Sequence, residues 1–136
     1  MKLYVIGIGP GGIGRMTNEA IDAIKSSDAV VGYKPYLEYV EEFLDGKETF
    51  STGMTGEIER CNHAIDLCES GKVVSVLSTG DAGLYGMAGP IFELVNERNS
   101  KIEVVVVPGV SAQFSAAADL GAPLMHDTAT ISLSDL

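Results

Sequence analysis

The chain has 136 residues, of which 46% are hydrophobic and 21% charged, and a formal net charge of −10 at pH 7. This length suits one domain with a buried core, and the acidic balance disfavours nucleic acid and anionic membranes as partners. No apolar run approaches the roughly 20 residues that span a bilayer, and the start at Met1–Tyr4 has no signal-peptide pattern, so we expect a cytoplasmic protein.

The predicted elements alternate between strand and helix. In chain order they are a strand at Lys2–Ile6, a helix at Asn18–Lys25 capped by Thr17, a strand at Ala29–Val31, a helix at Tyr36–Leu44, an edge strand at Glu48–Ser51, a helix at Glu57–Glu69, a strand at Val73–Ser78, a helix with Pro90 in its first turn that runs to about Asn96, a strand at Ile102–Val107, a helix at Ser111–Leu120 and a last strand at Thr128–Leu133. This order predicts an α/β fold, with a mostly parallel sheet sandwiched by helices.

Three glycine-rich segments each follow an apolar strand. They are Gly7–Gly12, Thr79–Gly86 and Pro108–Ala112. In an open parallel sheet, ligands bind beyond the carboxyl ends of the strands, and glycine allows a positive φ or a close approach of the backbone to a ligand. We therefore expect the strand ends at Ile6, Ser78 and Val107 to be neighbours, with their loops forming one side of a small-molecule site.

The first loop matches the dinucleotide-binding pattern Gly-x-Gly-x-x-Gly, but its surroundings disfavour a nicotinamide cofactor. Pro10 removes one amide donor from the loop, and no acidic residue follows the strand Ala29–Val31, where the ribose hydroxyls would bind. No Gly-Lys-Ser/Thr sequence follows the loop, which argues against a Walker-type phosphate site.

Cys61 and Cys68 lie on one predicted helix. With Ile58 and Ile65 they form an apolar stripe at helical spacing, which predicts that both cysteines are buried as small hydrophobic residues. Their spacing is not that of a metal site, so we expect no metal there. His63 falls off the stripe, and we expect it to face solvent.

Three motifs together resemble those of the tetrapyrrole methylases, which use S-adenosylmethionine: Gly7–Gly11, Ser78–Gly83 and Pro108–Ala112. Four further segments resemble the precorrin-3B (cobalt-factor III) C17-methyltransferases within that family: Val31–Tyr36, Ser51–Arg60, Gly83–Gly89 and Gly121–Asp127. The resemblance implies S-adenosylmethionine as the cofactor. It also implies C17 methylation of precorrin-3B or cobalt-factor III, with ring contraction, in cobalamin biosynthesis.

The resemblance has consequences for domain organisation as well. It implies that residues 1–136 are the N-terminal domain of a two-domain enzyme, and that Ile131–Leu136 marks the junction with the second domain. In such enzymes the ligands lie between the two domains. We therefore expect residues 1–136 alone to fold but not to catalyse the reaction. The surface that the second domain covers should be exposed and partly apolar in residues 1–136, so we also expect a homodimer.

The resemblance further implies which residues contact the ligands. Those on the cofactor side are Pro10, Thr79, Gly80, Asp81, Leu84, Ser111 and Ala112, and those on the substrate-side loop are Gly9, Gly11 and Gly12. Structural roles stay open for some of them: Asp81 could cap the turn that follows it, Pro10 could only shape its loop, and Ser111 could cap a helix.

Methyl transfer from a sulfonium to a ring carbon depends mainly on alignment of the two reactants, so we assign no general base. His126 and Asp127 are candidates by residue type for the proton transfers that accompany ring contraction, and Arg15 and Lys34 could receive an acidic macrocycle. Two alternatives remain. One is a methyltransferase of the same fold acting on a different tetrapyrrole, a protein or RNA, and the other is a non-catalytic ligand-binding or dimerisation module.

Overall fold

A computed structural model describes residues 1–133 of the chain. Five strands alternate with five helices: β1 (Lys2–Gly7), α1 (Asn18–Ser26), β2 (Ala29–Tyr33), α2 (Lys34–Tyr39), β3 (Glu48–Thr52), α3 (Glu57–Glu69), β4 (Val74–Ser78), α4 (Ala88–Glu97), β5 (Glu103–Val107) and α5 (Ala112–Asp119). Thr17 begins α1 as predicted, because its hydroxyl accepts a hydrogen bond from the Ala20 N–H at 3.1 Å. Within residues 1–133, no helix is long and apolar enough to cross a membrane.

The strands form one sheet in the order β3-β2-β4-β1-β5, and every neighbouring pair is parallel. The predicted α/β fold is therefore confirmed. Ile6 lies opposite Leu77 of β4 on one side and Val107 of β5 on the other. The ends of β4, β1 and β5 are thus adjacent at the same sheet edge, as the three glycine-rich segments predicted.

The core has two layers because the sheet is covered on both faces. Alternate residues of β1 point to opposite faces. Leu3 and Val5 pack in the layer that contains Cys61 of α3, whereas Ile6 packs in the layer that contains Ile24 of α1. Each fully buried Leu, Ile or Val side chain contributes about 1.5–3 kcal/mol through removal from water.

The predicted last strand at Thr128–Leu133 is wrong. Residues 127–132 have no regular secondary structure, and Ile131 is 69% exposed. An alternating apolar pattern makes a strand only where a neighbouring strand can pair with it, and β1 is the only strand paired with β5 among residues 1–133. The last three residues of the junction proposed at Ile131–Leu136 lie outside the described part.

Two predictions about helices also need correction. The helix predicted at Tyr36–Leu44 is α2 followed by a separate 3-10 turn at Glu41–Phe43, because the backbone leaves helical geometry at Val40. On α3, Ile58 is 57% exposed rather than part of the buried stripe. The buried face of α3 is instead formed by Arg60, Cys61, Ala64, Ile65 and Cys68.

Cys61 and Cys68 are both buried free thiols, as predicted. Burial raises the pKa of the Cys61 thiol to about 11, the nearby Arg60 only partly opposing it, and burial also raises the pKa of Cys68. His63 does not simply face solvent. Its ring stacks on that of Phe50 in β3, with centroids 3.8 Å apart.

Candidate functional site

The first two glycine-rich loops are joined by a pair of backbone hydrogen bonds. The Gly9 N–H donates to the Gly80 carbonyl at 3.1 Å, and the Gly80 N–H donates back to the Gly9 carbonyl at 2.8 Å. Both residues have positive φ, 75° for Gly9 and 63° for Gly80. Glycine is favoured at both positions because other residues rarely adopt that backbone conformation.

The Asp81 carboxylate joins the second loop to the third. Its Oδ2 accepts hydrogen bonds from the N–H groups of Gly83 at 2.9 Å and Leu84 at 3.1 Å. Its Oδ1 accepts one from the Gly109 N–H at 2.9 Å. Asp81 therefore caps the turn that follows it, which was one of the two roles that the sequence left open. Its hydrogen bond from Gly109 adds a second structural role, because it ties the third loop to the second.

These contacts also set the charge state of Asp81. Partial burial by itself would raise the pKa of the carboxyl group. The backbone N–H groups that face it, Gly109 first and then those of residues 82–84, outweigh that effect and hold its pKa below the ordinary aspartate value. Asp81 thus carries a stable negative charge at the loop junction.

Gly7 and Gly109 serve close packing between the loops. A Cβ on Gly109 would lie 2.2 Å from the Gly80 carbonyl oxygen and 2.6 Å from that of Gly7. The sequence predicted that these glycines would let the backbone approach a ligand. At these two positions the structure shows contact between backbones instead. Gly11 and Gly12 are different, because both have positive φ and open space around them.

A cavity of about 540 Å³ lies beyond the ends of β1, β4 and β5. All seven residues predicted on the cofactor side line it, and so do four that the sequence analysis missed: Tyr39, Tyr85, Gln113 and Thr130. Two of these had a usable signal, since Tyr85 lies within the glycine-rich second loop and Gln113 is one residue beyond Ala112. Gly9, Gly11 and Gly12 lie within two residues of Pro10 in sequence but are not among the residues that line the cavity.

The cavity wall combines apolar and polar groups. Leu84, Tyr39 and Tyr85 supply apolar surface, and the Thr79 residue is exposed at the end of β4. On the other side, Ser111 caps α5 by accepting a hydrogen bond from the Gln113 N–H at 3.4 Å, as predicted. A helix N-terminus also carries backbone N–H groups without partners in the helix, which can bind ligand oxygens.

The remaining candidates lie elsewhere. His126 and Asp127 are exposed in the segment after α5 and are not among the residues that line the cavity. Arg15 donates from Nη1 to Ser115 Oγ at 2.6 Å, which links the segment after the first loop to α5. Lys34 is exposed at the start of α2.

A parallel sheet with three linked loops beside a cavity at its carboxyl edge is typical of the α/β domains in which small-molecule sites are found. Residues 2–135 match the family model of the Tetrapyrrole (Corrin/Porphyrin) Methylases, and the chain belongs to this family.

The chain is similar to several proteins of that family. It is 52% identical over 134 residues to a probable cobalt-factor III C(17)-methyltransferase of Salmonella typhimurium, covering 98% of this chain and 56% of that protein. It is 49% identical over 138 residues to the cobalt-factor III methyltransferase of Priestia megaterium, covering 98% and 26%. The crystal structure of the methyltransferase CobJ matches with a TM-score of 0.90 at 35% identity, covering 98% and 56%. The chain therefore spans little more than half the length of the Salmonella typhimurium protein and of CobJ, and about a quarter of the Priestia megaterium protein.

Proposed function

We propose that this chain forms the S-adenosylmethionine-binding domain of an enzyme that methylates C17 of precorrin-3B or cobalt-factor III, with ring contraction, in cobalamin biosynthesis. The names of the similar proteins from Salmonella typhimurium and Priestia megaterium, both cobalt-factor III methyltransferases, support the reaction. One observation supports the cofactor site. The seven residues assigned to it from sequence, on three separate loops, all line one cavity.

The residues present fit S-adenosylmethionine. The cavity volume of about 540 Å³ lies within the roughly 300–1,000 Å³ of small-molecule sites. Leu84 and Tyr85 offer apolar surface for the adenine, and Thr79 offers a hydroxyl for the ribose. The Asp81 carboxylate is half-buried at the cavity wall, and its negative charge suits the cationic amino group of the cofactor.

When bound, the cofactor supplies an electrophilic methyl group. The chain's own residues hold and orient it, and such positioning lowers the barrier to a bimolecular transfer. Thr79, Tyr85 and Ala112 are all exposed, so the cavity is open on one side. We propose that the opposite wall comes from the sequence that the relatives have outside the matched stretch, and that residues 1–136 alone bind cofactor without catalysing methyl transfer.

A steric substitution on α5 tests the cofactor site. Ala112→Phe places a large side chain in the cavity, and Ala118→Phe places the same side chain on an exposed position of the same helix. By calorimetry with S-adenosylhomocysteine, Ala112→Phe should weaken binding at least about tenfold, a loss of about 1.4 kcal/mol, and Ala118→Phe should not. Equal affinity of the two variants, or no binding by the unmodified chain, would contradict the proposal.

Catalysis is tested separately. The chain is incubated with S-adenosylmethionine and cobalt-factor III, alone and joined to the remaining sequence of the Salmonella typhimurium relative, and the product is examined by mass spectrometry for one added methyl group. We expect methylation only in the joined protein. Turnover by residues 1–136 alone would show that one domain holds the complete site.

A further inference from the structure

Arg60 is a buried cation in the first turns of α3. The residue is only 5% exposed, and its Nη1 donates to Thr52 Oγ1 at 2.6 Å and to the Gly53 carbonyl at 2.9 Å. Both acceptors are neutral, so the hydrogen bonds do not compensate the charge. A buried charge is costly unless an opposite charge pairs with it.

The described part of the chain does not supply that opposite charge. No carboxylate oxygen of residues 1–133 lies within 4.0 Å of the Arg60 guanidinium. Its Nε and Nη2 make no hydrogen bond there either. Over the same residues, no fully buried side-chain nitrogen lacks a partner, which means that Nε and Nη2 are reached by solvent.

Arg60 lines a second cavity, which has a volume of about 340 Å³. Ser78 at the end of β4 also lines it, and the cavity shares Thr79 and Tyr85 with the cavity described above. A ligand bound in this region of the sheet edge can therefore extend a substituent toward Arg60.

The free part of the guanidinium suits one kind of group. Nε–H and the adjacent Nη2–H point in parallel, and this fork matches the two oxygens of a carboxylate. Nη1, the nitrogen outside the fork, makes both structural bonds. Glu57 also lines the cavity and would repel an anion. Glu57 is exposed at the start of α3, so water and salt screen its charge. Arg60 is buried, so its charge is screened less and acts more strongly on a bound anion.

We propose that Arg60 binds a carboxylate substituent of the substrate in this second cavity. The inference rests on the proposed function in that the carboxylate belongs to a tetrapyrrole bound beside the first cavity. It also explains how a chain with a net charge of −10 accepts an acidic macrocycle. Arg60 provides a buried guanidinium that has no carboxylate partner among residues 1–133, and no basic surface is required.

The test uses uroporphyrin, a porphyrin polycarboxylate, and its methyl ester as the uncharged probe. Binding is measured by porphyrin fluorescence for the unmodified chain, Arg60→Gln, Arg60→Lys and Arg98→Gln. Arg98 is the matched control because it is an exposed-surface arginine paired with Asp66. We expect Arg60→Gln to weaken uroporphyrin binding about 10- to 100-fold, Arg60→Lys to fall in between, and Arg98→Gln to change it less than about twofold.

A nitrogen-15 spectrum of the arginine side chains gives a readout that does not depend on a variant folding. The Arg60 Nε–H signal should shift on addition of uroporphyrin to the unmodified chain and stay unchanged with the ester. The same affinity in Arg60→Gln as in Arg98→Gln, or an unshifted Arg60 signal, would overturn the subsite. S-adenosylhomocysteine should bind Arg60→Gln with the same affinity as the unmodified chain, because Arg60 does not line the first cavity. If the unmodified chain does not bind S-adenosylhomocysteine at all, the proposed function is contradicted instead.

Discussion

Replacement of Asp81 by alanine should destabilise the fold itself as well as a ligand site. The carboxylate accepts N–H groups from two consecutive loops, those of Gly83 and Leu84 in its own turn and that of Gly109 after β5. The alanine variant leaves all three donors without this acceptor. The third bond matters most for the site, because it sets the distance between the loops on either side of the cavity.

The magnitude follows from these bonds. A hydrogen bond to a charged group contributes about 1.5–3 kcal/mol, and three of them would give a larger sum if the donors were fully buried. Asp81 is only half-buried, so water can reach part of the turn in the variant and recover some of the loss. We expect the free energy of unfolding to fall by about 1.5–3 kcal/mol at pH 7.

The pH dependence has a definite sign. The pKa of Asp81 in the folded state is lower than the roughly 3.9 of an aspartate in the unfolded chain. Its contribution to stability is therefore complete above that value and is lost as pH falls through the lower folded-state pKa. The difference in unfolding free energy between the unmodified chain and Asp81→Ala should be constant near neutral pH and shrink below about pH 4.

Urea denaturation followed by circular dichroism at several pH values measures this difference. Asp119→Ala is the matched control, since it removes an exposed aspartate near the end of α5. A loss below about 0.5 kcal/mol for Asp81→Ala at pH 7, the range of ordinary surface substitutions, would refute the structural role. A difference that stays constant down to the acid limit of folding would refute the assignment to the ionised carboxylate.

Three further predictions concern other parts of the molecule. Gly109→Ala should cost more than about 2 kcal/mol in urea denaturation because its Cβ meets backbone atoms, whereas Gly89→Ala, in open space on α4, should be neutral or stabilising; equal effects would contradict the packing argument. Cys61 and Cys68 should react with iodoacetamide at pH 8 only after unfolding, and rapid labelling of the native chain would contradict their burial. Tyr85→Gly should change the free energy of unfolding by no more than about 1 kcal/mol, because glycine suits the left-handed backbone at φ 53°. It should weaken binding of both S-adenosylhomocysteine and uroporphyrin, because Tyr85 lines both cavities; retention of both affinities would contradict the shared wall.

Much of the fold was predictable from local pattern. Runs of β-branched residues such as Val104–Val107 indicate strands of a parallel sheet, and the glycine-rich segments indicate where those strands end. The same reasoning failed at Thr128–Leu133, where the pattern suits a strand but no neighbouring strand pairs with it among residues 1–133. Alternation of apolar and polar residues favours an extended conformation, but a strand forms only where another segment hydrogen-bonds to it.

The sequence predicted most of the residues that line the candidate site, but it did not predict the hydrogen bonds between them. Three sequence motifs were enough to assign residues that prove to line one cavity, because parallel strands bring their carboxyl ends to one edge. The hydrogen bond from Gly109 to Asp81 spans 28 residues, and nothing local to either residue indicates it. Arg60 was missed for a similar reason: its hydrogen-bond partners, Thr52 at the end of β3 and Gly53 in the loop that follows, lie outside the helix that carries it.

The loop contacts and the proposed binding groups occupy the same edge of the sheet, so the contacts order the site before a ligand binds. The hydrogen bonds between Gly9 and Gly80 and from Gly109 to Asp81 hold three loops at fixed distances before any ligand arrives. A site ordered in advance loses less conformational entropy on binding, so more of the contact energy remains as affinity. Catalysis by alignment requires the same rigidity. Gly7, Gly9, Gly80 and Gly109 therefore serve the proposed reaction mainly by letting the loops pack against one another.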